Sequence, residues 1–69
     1  MKDHVYKHIE VTGTSTQSYG QAIENAVEKA ATTVKNMRWF QVIDSRGHIE
    51  DGKVSHWQAT IKIGFTLTD

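Results

Sequence analysis

The sequence predicts an α+β domain running strand, helix, strand, strand, with the third strand central in an antiparallel sheet and the helix on one face. Three patterns carry this. From Val54 to Leu67 the apolar residues Trp57, Ala59, Ile61, Ile63, Phe65 and Leu67 fall on every second position, the period of a strand with one buried face. From Tyr19 to Val34 they fall at helical spacing instead. Asp51-Gly52 between the last two apolar runs is the signature of a tight hairpin.

In chain order, His4 to Thr12 alternates Val5, Ile9 and Val11 against Tyr6, His8 and Glu10, and Lys7 interrupts the apolar side. An edge strand tolerates such a lysine, which also discourages unwanted pairing. Gly13-Thr14-Ser15 is expected to end this strand, and a helix to start between Ser15 and Ser18, with Ser18 and Gln21 spaced as a capping box. The helix is expected to run to about Asn36. Its stripe of Tyr19, Ala22, Ile23, Ala26, Val27, Ala30 and Val34 is rich in alanine, so its axis can approach a sheet closely. A second strand is expected from Met37 to Arg46. Strict alternation puts Trp39, Gln41, Ile43 and Ser45 on one side of it and Phe40, Val42, Asp44 and Arg46 on the other. Both sides are partly apolar. The third strand shows His56, Gln58, Thr60, Lys62, Gly64 and Thr66 on its reverse face. If Phe40 and Val42 point at the helix, Trp39 joins Gln58 on the sheet face that the helix leaves open.

A chain of 69 residues makes a single domain, 1–69. A domain of that size hides only about 60% of its unfolded surface on folding. Without a cysteine to cross-link it, oligomerisation is the expected support. A sheet apolar on both sides points the same way, because one helix covers one side only. Eight basic residues balance eight acidic ones, leaving no electrostatic footprint for nucleic acid or an anionic membrane. No run reaches the roughly 20 apolar residues of a membrane helix. Met1 is followed by charge and not by an apolar leader, so a cytoplasmic location is expected.

No cysteine nucleophile, nucleophile elbow or Walker pattern is present, and no catalytic constellation emerges, so an enzyme is not expected. Four histidines raise the question of a metal. His4 and His8 would stand about 13 Å apart along a strand, too far for one ion. His48 and His56 flank the hairpin without a third ligand, and no metal site within a subunit is expected. Trp39 and Gln58 are the more informative pair. An indole on an open sheet face is either a subunit contact or a stacking surface, and an amide offers a donor beside an acceptor, the complement of an imide edge on a planar heterocycle such as a flavin.

Taken together, His4-Val5-Tyr6-Lys7, Val11 to Ser15, Trp39-Phe40 with Val42, Arg46-Gly47, and Gln58 followed by Gly64-Phe65 resemble the dodecins, a family of small flavin-binding proteins, across essentially the whole chain. The resemblance implies a β-α-β-β protomer assembled as a hollow dodecamer. It implies that Trp39 and its symmetry mate stack on paired isoalloxazine rings, that Gln58 bonds the pyrimidine edge, and that Arg46 reaches the phosphate of FMN. Thr66 stands where many bacterial members carry an arginine, so Arg46 alone is expected to favour FMN over riboflavin. The implied function is to store, buffer and photoprotect FMN or riboflavin. Coenzyme A is a further ligand of some bacterial members. The rival readings are an oligomeric structural module without flavin, and a flavoenzyme.

Overall fold

The computed structural model describes residues 3–67 and contains β1 (Tyr6–Ser15), α1 (Tyr19–Ala30), β2 (Met37–Glu50) and β3 (Lys53–Thr66). The sheet order is β1-β3-β2, antiparallel throughout, as the alternation in β3 leads one to expect. The single-domain reading covers the whole chain, and its outermost residues 1, 2, 68 and 69 lie outside the described residues.

Strand β1 continues past Thr12 to Ser15. Gly13 is therefore a strand residue and not a terminator, and its part is in packing. A Cβ there would run into the Ala22 carbonyl oxygen and come within 2.8 Å of the Ala26 Cβ. The alanine stripe of α1 thus rests directly on the β1 backbone. Past the strand, the Ser15 hydroxyl accepts from the Gln17 amide at 2.8 Å, and the Ser18 hydroxyl caps α1 by accepting from the Gln21 amide at 3.0 Å. Only half of the capping box forms. The Gln21 side chain donates forward to Asn25 Oδ1 at 2.9 Å, and the Ser18 amide is taken by Ser15 Oγ at 3.4 Å.

The helix ends at Ala30, six residues before the expected boundary. Past Ala30 the backbone tightens into a turn, with the Thr32 amide donating to the Lys29 carbonyl and the Thr33 and Val34 amides to that of Ala30, and Thr32 Oγ1 (2.7 Å) and Thr33 Oγ1 (3.5 Å) add to the same two carbonyls. Asn36, at φ 65°, then turns the chain into β2. At the other end of β2 the hairpin closes on two residues, Asp51 at φ 52° and Gly52 at φ 75°, the paired positive angles of a type I′ turn. Strand β2 accordingly runs four residues beyond Arg46.

The faces of β2 differ from strict alternation. Val42 pairs with Ile61 and Asp44 with Thr60, which leaves Ile43 as the extra residue of a bulge. A bulge shifts all later side chains by one position. Asp44, Arg46 and His48 therefore share the open face with Trp39 and Gln41, while Ser45 and Gly47 join Phe40 and Val42 on the helix side.

The core is small: Ala22, Ala26, Ala30, Ala59, Ile61 and Ile63 are buried, with Ile9, Val11, Ile23, Val27 and Met37 packed around them. Trp57 and Phe65 are half-buried and Leu67 is exposed, so only the middle of the expected β3 core face is enclosed. The helix rests chiefly on β1 and β3. The helix side of β2 stays open, with Phe40 51% and Val42 42% exposed, beside a groove of about 630 Å³ that Ile23, Val27 and Phe40 line. The molecule measures 55 × 20 × 14 Å, and its radius of gyration is 14.3 Å. A compact chain of this length would have about 11 Å. Such a shape, with an apolar surface flanking the core, is that of a subunit.

Candidate functional site

The site is built on the open face of the sheet. Trp39 pairs across the β2–β3 ladder with Gly64, the one position on the open face of β3 without a side chain. The indole lies flat over it: a Cβ at Gly64 would fall on the indole atoms Cε2 and Cζ2. A glycine inside a strand commonly marks such a close approach. Tyr6, at the near end of β1, meets the indole edge to face, with centroids 6.1 Å apart and planes at 66°. This is a favourable aromatic arrangement that restrains the ring laterally. With its inner face on the backbone and its edge against Tyr6, Trp39 remains 38% exposed and presents its outer face.

Gln58 is half-buried on the same face, opposite Thr14 on β1 and Arg46 on β2. Arg46 Nη2 lies 2.7 Å from Asp44 Oδ2, and its Nε donates to the same oxygen at 2.9 Å. The bulge at Ile43 makes this group: without it Arg46 would point to the helix side, away from both Trp39 and Gln58. All three expected site residues therefore share one face. They are not one cluster, however. Gln58 lies six positions along β3 from Gly64, over which the indole rests, and at about 3.3 Å per residue that is roughly 20 Å. No single ring system touches both within a protomer, so a site that uses both draws them from different copies.

Sequence reasoning missed the roles of Gly64 and Tyr6. The signal for Gly64 was a lone glycine among β-formers on the open face, and Tyr6 required the register, which brings the start of β1 beside the end of β3. No helix among the described residues is long and apolar enough to cross a membrane.

An elongated β-α-β-β protomer with an uncovered sheet face and an indole laid open on it has the form of a small binding protein. The sequence matches the dodecin family model over residues 5–68, and the chain belongs to the dodecin family. It is 35% identical to the dodecin of Thermus thermophilus over 65 residues, 94% of each chain. Among solved structures it resembles the dodecin of Streptomyces coelicolor, with a TM-score of 0.92 and 46% identity over 100% of this chain and 99% of that one. The dodecin of Streptomyces davaonensis is similar to the same degree, with a TM-score of 0.92 and 40% identity over 99% of this chain and 100% of that one. A more distant neighbour is the calcium dodecin of Mycobacterium tuberculosis, described as calcium chelating, with a TM-score of 0.79 and 31% identity over 93% and 91% of the two chains. Dodecins are small binding proteins whose assemblies are oligomeric.

Proposed function

We propose that this dodecin binds flavin and holds it in store, buffered and shielded from light, in an assembly of twelve copies in which paired isoalloxazine rings stack between tryptophans of symmetry-related subunits. The observation that carries the reading is the indole of Trp39, laid flat on Gly64 with its outer face open. A planar heterocycle stacks on such a surface, and a ring held this way costs little further ordering when it binds. Gln58 of another copy supplies a donor and an acceptor for the pyrimidine edge, which follows from the roughly 20 Å between Gln58 and Trp39 within one protomer. The flavin itself supplies the isoalloxazine chromophore; the chain stacks it, keeps water from it and satisfies its polar edge. A ring covered on both sides is closed to a second substrate, which fits a carrier and not a catalyst.

Arg46 is assigned to the ligand phosphate, and FMN is the expected physiological ligand, with riboflavin as the weaker alternative. The guanidinium is exposed and spends its Nε and one Nη on a single carboxylate oxygen of Asp44, leaving further N–H donors for a phosphate. Arg46→Ala should therefore lower FMN affinity about tenfold and leave riboflavin affinity within about twofold, because a charge-assisted hydrogen bond is worth roughly 1.5–3 kcal/mol. Competitive titration with the two flavins measures both. Equal loss for both ligands would remove Arg46 from the phosphate site.

Trp39→Ala tests the reading itself. It should keep the size of the assembly and weaken flavin binding by about ten- to a hundredfold, the effect of losing a stacked contact worth roughly 1–3 kcal/mol. Size-exclusion chromatography with a flavin titration separates the two effects. Loss of assembly would make the Trp39 face a subunit contact. Calcium chelation is said of the Mycobacterium tuberculosis relative, and no residue of this chain is assigned to it.

A further inference from the structure

His48 and His56 stand directly opposite each other on β2 and β3, on the open face at the hairpin end of the sheet. As sequence alone they merely flank a turn; the register turns them into a facing pair. Their rings stack with centroids 4.5 Å apart and planes 21° from parallel. His48 is exposed and His56 half-buried, so an ion in solution can reach them.

Ser55, the extra residue of the bulge beside them, touches one ring. Its hydroxyl lies 3.4 Å from the His48 carbonyl oxygen and 3.3 Å from His56 Nδ1. With the hydroxyl proton given to the carbonyl, the hydroxyl oxygen accepts from an Nδ1–H of His56. In that tautomer the lone pair of the neutral imidazole is on Nε2. This is the form in which histidine ligates metals, with the second ring nitrogen donating to an oxygen.

Facing rings with centroids 4.5 Å apart are close enough to share one ion. The χ2 torsion of histidine is broad, so the exposed His48 ring can turn out of the stack while His56 keeps its contact with Ser55. Imidazole suits Ni²⁺ and Cu²⁺, the strongest binders in the first-row series.

We propose that His48 and His56 form a two-imidazole site for Cu²⁺ or Ni²⁺, with water in the remaining positions. The surrounding charge permits it. Arg46, two residues before His48, is paired with Asp44, and Glu50, two residues after it, stands opposite Lys53 next to the turn. Hard cations that want six to eight oxygens do not fit a pair of imidazoles.

The test is titration of the assembled, untagged protein with Cu²⁺ alone, followed by electron paramagnetic resonance, in a His4→Ala background so that the histidine near the amino end adds no signal. The expected spectrum shows two equatorial nitrogens. Affinity should fall at least about tenfold in His48→Ala and again in His56→Ala, and stay unchanged in His8→Ala. Both rings stand at the surface, and the size of each variant's assembly is checked by chromatography. Copper binding of parental strength in either single variant, or a spectrum with one nitrogen, would overturn the proposal.

Discussion

Gly64→Ala should leave a folded assembly that has lost most of its affinity for flavin. The added methyl group falls where the indole of Trp39 now lies, and an indole is the end of a mobile side chain, so it lifts away while the sheet stays in place. Lifting it separates the ring from the backbone beneath and from the Tyr6 edge, and the stacking surface is no longer held in one orientation. Flavin affinity is then expected to drop about ten- to a hundredfold, as in Trp39→Ala, although the tryptophan is still present. The emission maximum of the tryptophans should shift to the red as the indole meets water. Flavin titration and tryptophan fluorescence of the same sample read both effects. Unchanged affinity would mean that the position of the indole on Gly64 is irrelevant to binding.

Gly13→Ala should act on stability and not on the site. Here the obstruction is the Ala22 carbonyl oxygen, a backbone atom inside α1, with the Ala26 Cβ at 2.8 Å behind it. Neither can turn aside, so the whole helix must move off β1. Moving it loosens the buried cluster of Ala26 and Ala30 with Ile61 and Ile63. Overpacking a close contact costs about 1–3 kcal/mol, and this backbone collision belongs at the upper end or beyond. For a domain of this size about 3 kcal/mol lowers Tm by 10 °C or more. Thermal unfolding at fixed subunit concentration measures it, since concentration itself shifts the Tm of an oligomer. A shift below about 2 °C would show that helix and strand are not locked at this point.

The two glycines also show how far the sequence could be read. Strand order was legible because β3 alternates without interruption through Ile61, Ile63 and Phe65, and because Asp51-Gly52 admits one kind of turn. The alanines of α1 likewise announced a helix that lies close to a sheet. The partner of that approach, Gly13, was read as the end of a strand, because glycine in a sequence marks a terminus as readily as a contact. The bulge at Ile43 left no trace: one extra residue in a strand changes neither composition nor local propensity, yet it decides which face Arg46 occupies. The end of α1 was misplaced because Val34 continues the apolar spacing, while the turn over Thr32 and Thr33 is made of backbone and side-chain hydrogen bonds that spacing does not record. For the site, the face shared by Trp39 and Gln58 followed from parity alone. Their separation along β3 depended on cross-strand register.

The proposed flavin site joins Trp39 and Gln58 of different copies, so assembly and binding are one question, and a single titration addresses it. Ligand-free protein, with its oligomeric size checked beside it, is added to riboflavin and separately to FMN while flavin emission is followed. Stacking against Trp39 should quench the emission strongly and saturate near one flavin per subunit of a large assembly, with FMN the tighter ligand. Flavin that stays bright at saturating protein, while the assembly remains intact, would contradict the proposed function and leave the open face of the sheet as a contact between subunits.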